Sequence, residues 1–427
     1  MRPAATAVLV LLAFPAAAGE LSLESAVDAA LSRNERALAT RESTAAAEAR
    51  RTQARAFFFP TLTVGANYTR RANETVRDVG GQQVTIQAFD AVSATGTARW
   101  TVFDARGIPL YRAAIADYDA TKLEAAEARR LLAFEAADAF LKALSQVSVA
   151  EAARHRLEFA TQSLGDARTR AGAGLASINE LTRARLEEAT AQRDKTRAEA
   201  AEKTARLALS GLLDVAEAKV QSLSAPVELL KLAAEGSSKG QEVKRLDVLA
   251  SQERSRQAEA LATEPWLRLL PSLSATAQVK ATNETGLSGR PVDGYVGVDL
   301  TWVLFDGGDR YGDAREKAAQ ARAAALSARA SQRLAAVDSE TALVALEAAR
   351  SSRLQAQATA ELSRQNAKET AELFRQGLTN SLAVSDASLK QFEAEVALAQ
   401  EEYALAVALL GVRAAVGVDP LGRAVEP

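Results

Sequence analysis

The chain has 427 residues, no cysteine, a single histidine, and a net charge of −2 from 52 basic and 54 acidic side chains. Without cysteine, disulfide bonds and thiolate metal sites are excluded, and one histidine leaves few ligands for a soft metal. A charge this close to zero gives no electrostatic argument for a nucleic-acid partner. The composition therefore predicts no metal site, no cofactor site and no nucleic-acid contact.

The first 18 residues are typical of an export signal. Arg2 supplies a positive start, residues 7–14 form a short apolar core, and residues 16–18 give a small-residue cleavage site before Gly19. The core is too short to span a bilayer, and no cysteine follows the cleavage site to carry a lipid. No later segment is a long apolar run, so if the exported chain enters a membrane, it must do so by strands. We expect a cleaved signal peptide and a non-lipidated mature chain.

Two long proline-free stretches are rich in residues that favour helices, and each has one weak centre. They lie between residues 109 and 226 and between residues 291 and 420. Their centres are 171–177 (AGAGLAS) and 375–381 (RQGLTNS), where glycine and small polar residues predict a turn between two helices. Each half of the chain is therefore predicted to hold a helical hairpin with arms of up to roughly 96 Å, at 1.5 Å per residue.

Apolar spacing in the first of these arms predicts how it packs. The residues Leu131, Phe134, Leu141 and Leu144 follow one another at steps of three, seven and three, as in a coiled-coil seam. Alanine fills much of the remaining seam, which lets helices approach closely and leaves little bulk for a central core. A wall of long helices fits this pattern better than a globular core.

Four shorter segments have the period of two that is typical of strands. These segments are 61–71, 91–103, 272–282 and 293–305. Apolar residues alternate there with small polar ones over about ten residues, the length that a tilted strand needs to cross an outer membrane. A half-exposed sheet of a soluble protein alternates in the same way. Four such strands, each joined to a very long helix, favour the membrane interpretation.

The two halves of the chain repeat one another. WTVFDARG at 100–107 returns as WVLFDGGD at 302–309, an offset of 202, and the Gly-Leu turn at Gly174 returns at Gly377, an offset of 203. The order in each half is helix, proline, strand, loop, strand, WxxFD, helix, Gly-Leu turn and helix, which is a direct internal repeat. The predicted division is a signal peptide, a first repeat, an equatorial linker and a second repeat, at 1–18, 19–225, 226–242 and 243–427.

With these features the sequence resembles the TolC-like outer-membrane efflux proteins over essentially all of the mature chain. Residues 21–38 are similar to the family's opening helix, 60–68 and 271–279 to its entering strands, and the WxxFD phrases to its strand-to-helix corners. The resemblance implies a mainly α fold with a small β part. Long helical hairpins would form a periplasmic α-barrel, and four strands from each of three chains would form a transmembrane β-barrel of twelve strands. Four strands alone would leave open edges in lipid, with backbone groups unpaired.

The function that this resemblance implies is an exit duct in the outer membrane of a Gram-negative bacterium. The duct would belong to a tripartite efflux or type I secretion system. Its partners would be two further copies in a homotrimer, a periplasmic adaptor (membrane fusion) protein, an inner-membrane pump of the resistance-nodulation-division or ABC type, and outer-membrane lipid. The alternative is a soluble periplasmic coiled-coil scaffold or adaptor, which would leave the four strands without a purpose. The exported substrate stays open between drugs, metal ions and proteins.

The resemblance also assigns residues to the tips of the hairpins. The tip residues expected to bind the adaptor are Gly174, Leu175, Ala176, Ser177, Gly377, Leu378 and Thr379. The acidic residues expected at the pore constriction are Asp386 and Glu180, while Ala383 stands where some members have another acidic residue. Phe374 and Thr379 stand where some members have a tyrosine and an arginine that hold the tip closed. Alternatively, any helical hairpin needs a glycine turn, and Asp386 would help only the start of a helix.

The WxxFD phrases are assigned to the membrane girdle and the strand-to-helix corners. The corner residues are Trp100, Phe103, Asp104, Trp302, Phe305, Asp306, Gly307 and Gly308. Tryptophan suits the edge of a bilayer, aspartate suits a helix start, and glycine permits a sharp change of direction. The first corner departs from the pattern, with only Gly107 nearby in place of a glycine pair.

No group of residues predicts catalysis. His155 lies between two arginines with no second histidine or cysteine that could complete a metal site or a triad. The AGAGLA turn lacks the Lys-Ser/Thr ending of a phosphate-binding loop and follows a helix instead of a strand. We expect the chain not to be an enzyme.

Overall fold

Long helices dominate the computed structural model, which describes residues 20–174, 176–220, 222–235, 245–285 and 289–426. The helices in these ranges are α1 (Leu23–Arg33), α2 (Glu35–Ala56), α3 (Gly107–Gly172), α4 (Ile178–Leu213), α5 (Val227–Glu235), α6 (Leu246–Leu267), α7 (Asp309–Arg375) and α8 (Ser381–Val416). The strands are β1 (Thr61–Arg70), β2 (Thr75–Val79), β3 (Gln82–Gln87), β4 (Asp90–Phe103), β5 (Ser272–Thr282) and β6 (Val292–Thr301). The mainly α fold with a small β part is confirmed. The predicted signal peptide and Leu175 lie outside the described residues.

The helical hairpins have one very long arm and one shorter arm. Helices α3 and α7 contain 66 and 67 residues, and α4 and α8 contain 36 residues each. The chain divides into two compact units. The first unit lies within residues 1–40, 126–245 and 335–426, and the second unit lies within residues 41–125 and 246–334.

The core of the first unit is built from α1, α3, α4, α5 and α8, together with Ala37 of α2 and Leu346 of α7. Its largest fully buried side chains include Phe140, Leu132, Leu209, Leu213 and Leu405. Between these side chains lie buried alanines of α3, which allow the helices to approach closely. The apolar burial is therefore concentrated where several helices meet and is not spread evenly along the long arms.

The predicted coiled-coil seam of α3 is wrong at its first residue. Leu131 is 52% exposed, whereas its neighbour Leu132 is 1% exposed and belongs to the core. A straight helix turns every 3.6 residues, so a seam with steps of three and seven drifts around its surface. Because α3 packs against several helices at this level, its buried face is also broader than a two-helix seam.

A buried arginine closes the end of α8 in the first unit. The Arg130 side chain is 2% exposed and pairs with Glu127 at 2.7 Å. Its guanidinium also donates to the carbonyl oxygens of Ala414 and Val418, both at 3.2 Å. Ala414 lies in the last turn of α8, and Val418 follows the end of the helix by two residues. Arg130 therefore joins α3 to the last turn of α8.

The second unit contains a four-stranded antiparallel sheet in the order β1-β4-β5-β6. Thr61 pairs with Arg99, and Trp100 pairs with Ala275, which fixes the register of the central strands. Every residue of β1 is exposed. The apolar positions of the edge strands include Leu62, Val64, Val296, Val298 and Leu300, which are 66–82% exposed. The sheet thus has an apolar face that no part of the described chain covers.

The connection between β1 and β4, which the sequence analysis treats as a loop, contains a β-hairpin. Strands β2 and β3 pair with one another in a separate two-stranded sheet. Gly80 and Gly81 form the turn with φ of 68° and 85°, a combination that two-residue hairpin turns require and glycine readily adopts. The loop predicted between these two strands is therefore present, and it contains a hairpin that the sequence analysis does not predict.

An acidic side chain connects the two loops of the sheet. Glu284, between β5 and β6, forms an ion pair with Arg71 and accepts a hydrogen bond from the amide of Ala88 at 2.9 Å. The next residue back, Asn283, accepts from the amide of Val92 and donates to the carbonyl of Asp90, both at 2.7 Å. The loop after β5 is therefore anchored to the backbone beside β4.

This anchor is expected to weaken in acid. The hydrogen bond from Arg71 lowers the pKa of Glu284 from its usual value. A carboxyl group with a lowered pKa contributes stability that is present above its unfolded pKa of about 4.3 and lost as the pH falls through the folded value. Hydrogen exchange at the Ala88 amide should therefore lose protection between about pH 5 and pH 3, after correction for the intrinsic rate. Glu284→Gln serves as the control: its exchange should lack this pH dependence, and equal dependence in both proteins would contradict the prediction.

Candidate functional site

The turn between α3 and α4 is fixed by a glycine and a capping box. Gly174 has φ of 73°, which glycine adopts without strain. Ser177 caps α4: its hydroxyl accepts from the amide of Glu180 at 3.2 Å, and the Glu180 carboxylate accepts from the amide of Ser177 at 3.2 Å. Both backbone donors are satisfied reciprocally. Glu180, one of the two acidic residues predicted for the pore, therefore also closes the start of α4.

The turn between α7 and α8 has a similar construction. Gly377 has φ of 77°, and the amide of Leu378 donates to the carbonyl of Leu373 at 2.8 Å. Asn380 caps α8 by accepting from the amide of Ala383 at 3.0 Å. The Leu378 side chain is 70% exposed, so this tip presents an apolar group to its surroundings.

A stacked cation joins the ends of the two hairpins. Phe374, at the end of α7, is 7% exposed. The Arg170 guanidinium, near the end of α3, lies 4.7 Å from the centre of the Phe374 ring and donates to the Phe374 carbonyl at 3.4 Å. A cation over an aromatic face is an attractive contact. The Phe374 side chain is thus held by Arg170.

A charge cluster farther from the tips connects three helices of the first unit. Arg156 of α3 pairs with Asp194 at 2.6 Å and with Glu187 at 2.7 Å, both on α4. Glu187 also accepts a hydrogen bond from the Ser385 hydroxyl of α8 at 2.9 Å. The Arg156 side chain is 3% exposed and lies 5.1 Å from the ring of Phe392, on α8. Sequence reasoning missed this cluster, because its members belong to three separate helices.

The predicted pore residue Asp386 has a cationic partner one turn farther along α8. The Lys390 ammonium group lies 2.7 Å from the Asp386 carboxylate, and the two side chains are 60% and 54% exposed. The hydrogen bond to Asp386 raises the pKa of Lys390. Asp386 is therefore part of an exposed ion pair, a feature that the sequence analysis did not include.

The two strand-to-helix corners repeat one contact. The Trp100 indole donates to the carbonyl of Phe58 at 3.1 Å, and the Trp302 indole donates to the carbonyl of Leu269 at 3.0 Å. The two indole groups are 47% and 59% exposed. Each corner therefore satisfies the polar atom of its tryptophan and leaves much of the ring on the surface, as is typical of residues at a bilayer edge.

Each corner aspartate holds an arginine and a backbone amide. Asp104 accepts from the Arg106 guanidinium at 2.9 Å and from the Arg106 amide at 3.0 Å. Asp306 accepts from the Arg310 guanidinium at 2.7 Å and from the amide of Gly308 at 3.1 Å. At the second corner Gly307 and Gly308 have φ of 72° and 95°. Aspartate thus organises both turns into the following helix.

Gly107 at the first corner has a different function from the glycine pair at the second. A Cβ atom at this position would lie 2.6 Å from the Phe57 ring. Glycine is therefore needed for close packing and not for a positive φ. The long-range contact with Phe57 could not be read from the local sequence.

The described residues contain few features of other site types. None of their helices has both the length and the apolar run needed to cross a membrane. Among the same residues, no group of three or more histidine, cysteine or acidic side chains could hold a metal ion. His155 is exposed on α3, which agrees with its interpretation as a surface residue.

Comparisons with known proteins agree on one family and one fold. A model of the family described as outer membrane efflux protein matches residues 26–232 and 242–418. The fold is similar to that of the outer membrane protein VceC from Vibrio cholerae, with 16% identity, a TM-score of 0.77, and coverage of 93% of this chain and 96% of VceC. It is also similar to the Campylobacter jejuni CmeC outer membrane channel, with 17% identity, a TM-score of 0.80, and coverage of 95% of this chain and 87% of CmeC. For the open state of the Neisseria gonorrhoeae MtrE outer membrane channel, the identity is 18% and the TM-score is 0.71, with coverage of 95% of this chain and 91% of MtrE.

No curated protein has significant sequence similarity to the chain. At identities below 20% the solved channels establish the fold, while the family match spans well over half of the sequence. The chain therefore belongs to the outer membrane efflux protein family, the TolC-like outer-membrane exit ducts.

Proposed function

We propose that three copies of the chain assemble in the outer membrane of a Gram-negative bacterium as the exit duct of a tripartite efflux or type I secretion system. The observation that carries the homotrimer is the four-stranded sheet, whose edge strands β1 and β6 have no partner within the described chain. In lipid each unpaired backbone group costs several kcal/mol. Pairing β6 of one copy with β1 of the next removes both edges and closes a barrel of twelve strands.

The exposed apolar face of the sheet supports the same assembly. Val64 and Val296, on the two edge strands, are 81% and 82% exposed, and both belong to the face that carries the apolar residues of each strand. Such a face is unfavourable in water and favourable against lipid tails. The corner residues Trp100, Phe103, Trp302 and Phe305 are assigned to the girdle at the bilayer edge.

The hairpin tips are the proposed docking surface for a periplasmic adaptor (membrane fusion) protein. The surface comprises Gly174, Leu175, Ala176, Ser177, Gly377, Leu378 and Thr379, of which Leu175 lies outside the described residues. Asp386 and Glu180 are assigned to the pore constriction. An open duct need not bind what passes through it, so substrate choice is assigned to the inner-membrane pump, of the resistance-nodulation-division or ABC type.

Fractionation followed by a mass measurement tests the duct. The chain is expressed with its first 18 residues, outer membranes are separated and extracted in mild detergent, and the protein mass is measured by light scattering after subtraction of the detergent. We expect an outer-membrane protein with three mature, non-lipidated chains per particle. A soluble monomer or dimer in the periplasm would contradict the proposal and favour a coiled-coil scaffold.

Leu378→Ser tests the docking surface separately from the pore. Loss of an exposed apolar side chain at the centre of an interface is expected to weaken adaptor binding roughly tenfold or more, while single-channel conductance in a lipid bilayer stays unchanged. Binding is measured by biolayer interferometry with a purified periplasmic adaptor protein. Leu326→Ser, at an exposed leucine of α7 in the second unit, is the matched control. Equal affinities for the natural protein, Leu378→Ser and Leu326→Ser would show that Leu378 does not contribute to adaptor binding.

A further inference from the structure

One face of α8 carries a row of exposed residues that begins near the tip. The exposed positions are Leu382, Asp386, Lys390, Glu393 and Ala397. Their steps of four, four, three and four residues place them along one face of the helix. The opposite face contains buried Val384, Ser388 and Ala399. Asp386, Lys390 and Glu393 therefore lie on the same face of α8. If Asp386 lines the pore, the other two side chains line it as well.

The charges along this row alternate in sign. Lys390 follows Asp386 by four residues and precedes Glu393 by three, so the order is negative, positive, negative. At 1.5 Å per residue, neighbouring charged residues are about 4.5–6 Å apart along the helix axis. The Lys390 ammonium group approaches the Asp386 carboxylate to 2.7 Å, and both groups stay in contact with solvent.

We infer that Lys390 is a determinant of ion selectivity, which offsets the attraction of Asp386 for cations at the pore constriction. The inference rests on the proposed function, in which Asp386 lines the pore. Three copies would then bring three carboxylates and, one turn farther along, three ammonium groups to the same lumen. Charges paired at 2.7 Å largely cancel for an ion that is a Debye length of about 8 Å away. A ring of Asp386 alone would attract cations and repel anions.

Reversal potentials of single channels in a KCl gradient measure this balance. The full-length chain is reconstituted in planar lipid bilayers, and the ratio of potassium to chloride permeability is compared among four proteins. These are the natural protein, Lys390→Gln, Asp386→Asn and Lys203→Gln. Lys203 is an exposed lysine of α4, so its substitution removes the same charge from another helix. All three side chains are exposed, so their substitution should leave the fold intact, and circular dichroism checks this directly.

We expect Lys390→Gln to raise the permeability ratio roughly two- to threefold, the change expected when a unit charge several ångströms from the ion path is removed in water. Asp386→Asn should lower the ratio by a similar factor, and Lys203→Gln should leave it unchanged. A response to Asp386→Asn without a response to Lys390→Gln would overturn the inference and leave the proposed pore intact. An unchanged permeability ratio in both variants would overturn the inference and the placement of Asp386 together. A protein without conductance would overturn the proposed duct.

Discussion

Replacing Arg156 by methionine is expected to lower the free energy of unfolding of the first unit by about 3–5 kcal/mol, because the change leaves Glu187 without the Arg156 cation and Asp194 with only the exposed Arg193. Arg156 bonds Glu187 and Asp194 at once, and those carboxylates are only 21% and 15% exposed. Methionine keeps the length and apolar contacts of the side chain. The loss therefore reports the missing charge and its hydrogen bonds, with little contribution from a cavity.

The measurement is the midpoint of urea-induced loss of the circular dichroism signal at 222 nm, in detergent. This signal reports helices, and the cluster lies entirely in the helical first unit. With a slope of about 3 kcal/mol per molar urea, the expected loss lowers the midpoint by about 1 M or more. Arg193→Ala is the matched control, since Arg193 also pairs with Asp194 but is 57% exposed, and exposed ion pairs contribute only about 0–1 kcal/mol.

A triple variant separates the ion pairs from other effects of Arg156. Combining Arg156→Met with Glu187→Gln and Asp194→Asn removes the cation and both anions together. Replacement of a whole buried ionic group is often close to neutral, whereas removal of one partner is costly. We therefore expect the triple variant to recover much of the lost stability. A single variant no less stable than Arg193→Ala would contradict the prediction.

The turns and corners were predictable from the sequence because they depend on local backbone chemistry. Gly174 and Gly377 stand at breaks in long helical patterns, and both have a φ that side chains disfavour. The fold class followed from similar reasoning, since proline-free helical stretches and segments of period two are visible in the sequence. The β2–β3 hairpin is equally predictable, because Gly80-Gly81 lies between alternating residues, although the sequence analysis gives only a loop there.

Contacts between helices were not predictable in this way. The Arg156 cluster depends on which faces of α3, α4 and α8 meet, and many arginines of these helices have acidic residues at suitable spacing. Leu131 and Leu132 are adjacent leucines, and only tertiary packing decides that Leu132 is the buried one. The Asp386–Lys390 pair is an intermediate case. Its spacing of four residues is a known favourable pattern, but the sequence analysis considers Asp386 only as a pore residue and does not pair it with Lys390.

Replacing Phe140 by alanine is expected to cost the first unit about 3–5 kcal/mol of unfolding free energy, the usual range for a fully buried aromatic side chain. Phe140 is 0% exposed and is the largest fully buried side chain of the core. The neighbouring residues of α3 are mostly alanines. Because these side chains are small and fixed on a rigid helix, they cannot move inward to fill the cavity left by the ring. The cavity should therefore persist, which places the expected cost toward the upper part of the range.

The same urea midpoint measures this loss, with two variants for comparison. Phe140→Leu retains most of the apolar volume and should lose roughly 1–2 kcal/mol. Phe134→Ala removes an identical ring from a half-buried position on the same helix and should cost less than Phe140→Ala, because part of that ring is already in contact with water. If Phe140→Ala and Phe134→Ala shift the midpoint equally, the core is not centred on Phe140. The ordered series of three losses would instead show that a few large side chains, set among alanines, hold the long helices of this unit together.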